Sequence, residues 1–559
     1  MKKITVLLVL AMMLATLLVG CASPTQTPDE TTSQGSEQTT ATEEAATAPS
    51  GRSGGVLNGG EYVLDTQMAN LNPFATSGTW LGFFNFMYEE LLYYNPVSGQ
   101  LEPSLATGYT WSDDYLTLSL PINKEAAWTD GTPFSVNDAV YSFNVLHDNP
   151  VLDQYGIWAS LDSVSADGDT VVFHLKQPST ALPNYISTVQ IVPEHLWKDV
   201  NPVEFTNPEP IGTGPFIFTA YNTGTDVQFD ANMDYWRGAP NVDKIVMHIY
   251  NSAPNLTLAL LKGDIQFTQG TLAMPNVPEL RTKQGAELQV YSGLTNWVVA
   301  MNEDNPMLAD VAVRKAMAMA INQTDLITKG EYNGVFPTSI GWLPPLFGDL
   351  VNTEVANSLT YDIAAAQAVL EEAGYTKGDD GIYQKDGQRL SFTYHNASGA
   401  PAQQMEAGMI QQWLLNLGVE IIPKLATWPE LTKRGQTGDF DLIQLPITFP
   451  PDAFASINAS FNSAMTAPSG TATPGTNYFR FSNAKVDELL AQAASVTDPA
   501  EQKTIYYELQ QEIAANYVFL PMYSGGGHIP YYEGVGTTGW DTNYPIWAAQ
   551  SLIKVQLIP

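Results

Sequence analysis

The sequence predicts a mixed α/β fold (α+β in its mixture of elements), organised as two lobes with a cleft between them. Three observations lead there. Beyond an N-terminal polar tract the chain keeps roughly 500 residues, too many for one compact core, so two or three lobes are expected. From Gly55 onward, strand-like and helix-like stretches alternate irregularly. Outside the polar tract there is neither an internal repeat nor a low-complexity segment.

The chain opens with Lys2 and Lys3, then the apolar run Ile4–Val19, then Gly20 and Cys21. A basic start, a short apolar core and small residues before a break are the marks of a secretory signal. A membrane span needs roughly 17–25 apolar residues, so an uncleaved anchor is borderline short. Leu18-Val19-Gly20-Cys21 resembles the lipobox of bacterial lipoproteins. The resemblance implies cleavage before Cys21 and a diacylglyceryl group on its thiol, and two acyl chains suffice for stable anchoring. Residues 1–20 are expected to be a signal peptide. Residues 21–54, rich in Ser, Thr, Gln and Glu, are expected to form a lipidated, disordered stalk, because they cannot bury enough surface to offset ordering entropy. A flexible coil of that length reaches on the order of 30 Å.

Along the body, Thr170–Leu175, Asp226–Ala231, Lys244–Tyr250, Arg389–Tyr394 and Gly418–Pro423 carry the β-branched and aromatic alternation of strands. Helices carry end signals. Asp310 caps a helix with Val313, Met317, Ala320 and Ile321 on one face, and Asp362 caps another that stops at Gly374. Gln403–Leu417 puts Met405, Met409 and Trp413 on one stripe, and Pro499 opens a helix over Glu501–Ala515.

The net charge of −34 at pH 7, from 58 acidic and 24 basic residues, excludes ordinary nucleic-acid binding and argues against docking on anionic lipid. The single cysteine leaves no internal disulfide. There is no phosphate-binding G-x-x-x-x-G-K-[ST], no H-E-x-x-H and no G-x-S-x-G. The six histidines are scattered, so no metal site or cofactor is expected. Adjacent acids such as Asp113-Asp114 read as solvated turns. Nothing demands catalysis.

Several ordered segments resemble the large extracellular solute-binding proteins of ABC importers, of the peptide-, nickel- and oligosaccharide-binding type. They are Ala127–Phe143, with a turn at Asp130-Gly131 and a helix after Ser135; Pro210–Phe216; Asn232–Gly238; Leu260–Ile265; Asn302 with Asp310–Ala316; Tyr361–Tyr375; and Gly418–Glu420. The resemblance runs from about residue 60 to at least 525. It implies a two-lobed periplasmic-binding-protein-like fold of class II with an extra inserted domain. Lobe I would comprise 55–95, 207–298 and 515–559, the inserted domain 96–206, and lobe II 299–514. Crossovers would fall near 296–300 and 513–518. It implies a monomeric binder that closes on its ligand and docks on a permease pair, held to the membrane by its lipid.

Peptide binders of the family usually place an aspartate in a tryptophan- and Gly-Asp-containing loop to receive the α-ammonium. Here the matching loop, Leu445–Phe454, keeps only Asp452 and Phe454 in register. Trp80, Trp297, Trp540 and Trp547 lie in segments without core periodicity, and flat rings suit sugar faces. The ligand therefore stays divided between oligosaccharide and oligopeptide, and a nickel chelate is disfavoured. Expected ligand-binding residues are Trp297 on the first crossover, Asn296 and Asn302 for edge hydrogen bonds, then Trp80, Asp452 and Trp540. A ligand sensor without transport and an extracellular hydrolase are the rival functions.

Overall fold

The computed structural model describes residues 51–62, 70–75, 83–269, 274–398 and 400–559. Cys21, Trp80 and most of the expected stalk lie outside the described residues. The last stretch of that stalk, residues 51–54, is held against the body. Arg52 donates to the Pro240 and Val242 carbonyls and pairs with Asp243, and the Gly54 amide donates to Asn241.

One large sheet organises the body. Its principal strands, in chain order, are β1 (Val56–Tyr62), β2 (Phe216–Asn222), β3 (Asp226–Ala231), β4 (Lys244–Tyr250), β5 (Phe267–Thr268), β6 (Ala286–Met301), β7 (Ser391–Ala397), β8 (Glu420–Ala426), β9 (Leu442–Thr448) and β10 (Phe519–Tyr532). Their spatial order is β8-β7-β9-β6-β10-β5-β1-β4-β3-β2. The strands predicted at 170–175, 226–231 and 244–250 form at those residues. That predicted at 389–394 is a short strand ending at Arg389, followed by β7 after a break.

β6 and β10 are long because each runs through both halves. Thr295–Met301 pairs with β9 on one side, and Thr295–Ala300 pairs with Phe519–Gly525 on the other. Ala286–Ser292 pairs with Gly526–Tyr532, and β10 continues the sheet to β5 through Tyr531. Alternation does the rest. Val298 and Ala300 enter one apolar core of the second half, while Val299 and Met301 enter another on the opposite face. The second crossing strand begins at Phe519, later than the expected 513–518. The helix Pro499–Asn516 occupies that span, and Tyr517 ends it with a φ of 47°.

Between β1 and β2 the chain builds a four-stranded antiparallel sheet over residues 110–175 and the helix α1 (Val136–Asp148). The turn before α1 forms as predicted, with Gly131 at φ 87° and its amide bonded to the Trp128 carbonyl. Leu118, Phe143 and Phe173 of this segment join Leu57, Phe216 and Phe229 in one continuous core. The expected inserted domain thus shares its apolar interior with the first half. A short helix, α2 (Leu182–Ile186), packs into the same core through Leu182 and Ile186.

The second half packs α3 (Val311–Met319), α4 (Ile363–Glu372), α5 (Pro401–Leu417), α6 (Ala453–Phe461) and α7 (Pro499–Asn516) on β6–β9. Asp310 and Asp362 cap α3 and α4 as predicted. In α7 the cap is Asp498, with Pro499 at the first helical position. The stripe on α5 holds at Met409 and Trp413 and fails at Met405. Ala407, Ile410, Trp413, Leu414 and Leu417 face the core, and Met405 is 40% exposed.

Candidate functional site

The two crossing strands are unlike ordinary neighbours at their midpoint. Between the pairs Ser292–Gly526 and Thr295–Gly525, β6 carries Gly293 and Leu294 as extra residues. A second irregularity follows at Trp297, where Met522 is extra on β10 beside Pro521, which has no amide to donate. A Cβ on Gly526 would overlap the Tyr291 carbonyl oxygen, and one on Gly293 the Gly525 carbonyl oxygen. The backbones approach closely there because these residues are glycines.

Two cavities open on either side of this midpoint and share Gly293, Leu294 and Trp547. One, of about 500 Å³, is walled by Glu90, Tyr93, Tyr94 and Gln190 from the first half and by Leu346 and Pro451 from the second. The other, of about 670 Å³, is walled by Tyr291, Trp297, Glu331, Gln403, Tyr523 and His528, among others. No Lys or Arg lines either cavity among the described residues.

Each cavity carries a buried carboxyl. Glu90 accepts from Gln190 Nε2 at 3.1 Å; burial, then the neighbouring Glu89 charge, hold its pKa up to about 8. Glu89 is fixed from below by Tyr235 Oη and Trp236 Nε1, each at 2.8 Å, and by Arg237 at 3.8 Å. The Asn232–Gly238 motif therefore supports the floor beside Glu90. In the second cavity Glu331 hydrogen-bonds Glu406 of α5, and Glu406 accepts from Tyr523 Oη at 2.9 Å and Gln444 Nε2 at 2.8 Å. Burial, with Glu331 beside it, pushes Glu406 up to about 9. Glu331, next to the cavity, is thus backed by a carboxyl whose burial favours its neutral form.

Of the expected site residues, Trp297 lines the larger cavity, its ring 5.9 Å from that of Tyr523 and 6.0 Å from that of Trp428. Asn296, next along the strand, is fully buried and donates to the Trp342 carbonyl at 2.6 Å, so it does not share a cavity with Trp297. Asn302 is buried and donates to the Gly438 and Phe440 carbonyls, both at 3.0 Å. Trp540 packs on Phe267 and Tyr531 and donates to the Tyr532 carbonyl at 2.8 Å, a core position away from both cavities. Asp452 caps α6 through the Phe454 amide at 2.9 Å and hydrogen-bonds Tyr185 of α2. Burial pushes its pKa up to about 6. It joins the two halves at the rim, while its neighbour Pro451 faces the smaller cavity.

The signature segments serve the frame. Asp138 accepts from Ser135, Trp128 and Glu194, tying α1 to its turn. Arg314 of α3 donates to the Leu308, Ala309 and Asn516 carbonyls. Sequence reasoning missed Glu90, Tyr93, Tyr94, Gln190, Tyr291, Glu331, Gln403 and Tyr523. The available signal was the run Gly525-Gly526-Gly527 inside a strand, which marks a close backbone approach. Among the described residues no group of three or more His, Cys, Asp or Glu is placed to hold a metal ion, and no helix is long and apolar enough to cross a membrane.

Known proteins share this architecture. The oligopeptide-binding protein AppA of Bacillus subtilis is 25% identical over 452 residues, covering 77% of this chain and 80% of its own. Its crystal structure with a nonapeptide superposes with a TM-score of 0.66 over 91% of this chain and 100% of that one, at 23% identity. Protein XP55 of Streptomyces lividans is 30% identical, covering 75% of this chain and 76% of its own. The periplasmic oligopeptide-binding protein of an oligopeptide ABC transporter from Thermotoga maritima, in its mannohexaose-bound form, superposes with a TM-score of 0.68 at 22% identity, over 90% of this chain and 99% of that one. The two-lobed fold is common to all these structures. Residues 100–467 match the family described as bacterial extracellular solute-binding proteins, family 5 Middle, and the chain belongs to that family.

Proposed function

We propose that this chain is the substrate-binding component of an ABC importer, and that it captures an oligopeptide between its lobes and delivers it to a permease pair. The observation that carries this reading is the pair of adjoining cavities at the midpoint of β6 and β10, walled by both halves of the molecule. An extended ligand laid across Gly293 and Leu294 reaches both. Their walls of aromatic rings, amides and carboxyls suit a chain with regular polar groups and varied side chains. The peptide named with AppA supports the same reading. The chain works as a monomer, on the outer face of the membrane, tethered through Cys21, and does not turn over its ligand.

A second reading, an oligosaccharide, is favoured by one observation. Trp297, Tyr523, Tyr291 and Trp547 line one cavity, and such rings can stack on sugar faces. The test is a thermal-shift panel of tri- to pentapeptides against cello-, xylo- and manno-oligosaccharides. A ligand at a hundred times its Kd adds about 2.7 kcal/mol of stability. Peptide shifts uphold the first reading, sugar shifts alone replace it with the second, and product in the ligand pool defeats both. Trp297→Ala is expected to weaken the active ligand at least about tenfold, since a buried aromatic contact contributes more than 1.4 kcal/mol.

A further inference from the structure

The larger cavity holds an imbalance of charge. Glu331 is 5% exposed and Glu406 fully buried, and among the described residues neither enters an ion pair with Lys or Arg. The chain turns sharply around Glu331. The two residues after it have φ of 47° and 62°, and the Gly334 amide returns to the Glu331 carbonyl at 2.7 Å. Glu406 is held by Tyr523 and Gln444, and Gln444 in turn accepts from Tyr394 Oη at 2.8 Å. The network is rigid on its protein side. Burial favours the neutral form of Glu406, and Glu331 is the carboxyl of the two that lines the cavity. Buried charges are ordinarily paired, because desolvation disfavours an unpaired one. The side of Glu331 left open faces a cavity walled by Trp297, Tyr523 and Tyr291, whose ring faces attract cations. The loop aspartate that could have done this work, Asp452, is engaged with Tyr185 and with its own helix.

We infer that Glu331 is the receptor for a cationic nitrogen of the ligand, an ammonium or guanidinium, in the cavity walled by Trp297 and Tyr523. Glu406 is a positioning residue. It hydrogen-bonds Glu331 and is itself held by Tyr523 and Gln444, so Glu331 is fixed where it lines the cavity. The inference rests on the oligopeptide reading and adds where its charge is read.

The test uses two pools of tri- to pentapeptides lacking Lys and Arg, one with free amino termini and one N-acetylated. Both are titrated calorimetrically into the wild-type chain, Glu331→Gln, Glu406→Gln and Glu90→Gln, with the melting temperature of each variant as the check on folding. The wild type is expected to prefer the free-amine pool at least about tenfold, the range of a charge-assisted hydrogen bond. Glu331→Gln should bind the two pools alike, with its affinity for the acetylated pool unchanged. Glu406→Gln should retain a reduced preference, whereas a purely structural role would weaken both pools equally. Glu90→Gln should keep the full preference. A wild type that ignores acetylation, or a Glu331→Gln variant that keeps the preference, overturns the inference and leaves the peptide reading standing. Binding of neither pool, alongside binding of oligosaccharides, overturns both.

Discussion

At the scale of single residues, the buried acids set how this molecule responds to pH. Burial pushes Glu90, Glu303, Glu406 and Asp452 up to about 8, 7, 9 and 6. Unfolded, such groups titrate near 4. Between that value and the folded one, the native chain holds protons that the unfolded chain has lost. Stability is therefore greatest below about pH 4.5 as far as these groups are concerned, falls as pH rises through their folded values, and levels off above about 9. The melting temperature should be higher at pH 5 than at pH 9. Glu406→Gln should narrow that gap by about 2 °C or more, and an unchanged gap would show that this carboxyl ionises freely. Residue chemistry was also the least legible part of the sequence. Glu90, Glu331 and Gln403 come from segments more than two hundred residues apart at the extremes, and each reads as an ordinary surface residue until the fold assembles them. Asn302 and Trp540 misled in the opposite direction, because a polar or aromatic residue in an irregular segment is as readily spent on carbonyls inside the core.

At the scale of elements, local signals were read well where they are local. The alternation at Thr170–Leu175 and Lys244–Tyr250 gave the strand bounds, and the aspartates at 310 and 362 cap as their side chains predict. On α5, Met409 and Trp413 reach the core as expected, but packing also takes Ile410 and Leu414 and leaves Met405 at the surface. The crossing strands show what periodicity alone does not carry. Three consecutive glycines weaken a strand, yet Gly526 lies where a side chain would strike the backbone of its partner. Gly526→Ala should cost about 2–3 kcal/mol through overpacking, read as a lower urea midpoint at unchanged slope. Gly525→Ala, in the same strand with its nearest neighbour at 3.4 Å, controls for the added side chain without the collision. Equal losses in the two variants would mean that close approach is not what the glycine supplies.

At the scale of the whole molecule, the segment expected as an inserted domain reaches across to the opposite half. Asn184 Nδ2 donates to the Pro451 carbonyl at 2.5 Å, Thr180 accepts from Gln502 Nε2 of α7 at 3.1 Å, and Tyr185 meets Asp452. These contacts close the rim of the smaller cavity from the first half's side. Removing two of them with Asn184→Ala and Tyr185→Phe should raise the ligand dissociation rate at least about fivefold, at about 1 kcal/mol per hydrogen bond. The same double variant, without ligand, should give a larger radius of gyration by X-ray scattering. An unchanged rate and radius would show that the clasp carries no weight. The family was legible from ordered segments because those segments build the frame; Asp138 and Arg314 are bonded to backbone and caps rather than to any cavity.

The ribbon of β6 and β10 has a mechanical consequence. Its strands are bonded to each other on both sides of the glycine midpoint, from Ala286–Tyr532 to Ala300–Phe519. Two separate tethers would let one half swivel, slide and tilt against the other. A ribbon restrains those motions and bends most readily where its ladder is interrupted. The crease lies at Gly293 and Gly526, beneath the place where the two cavities meet. A ligand lying there sits over the fulcrum, and both of its ends would be uncovered in the same stroke.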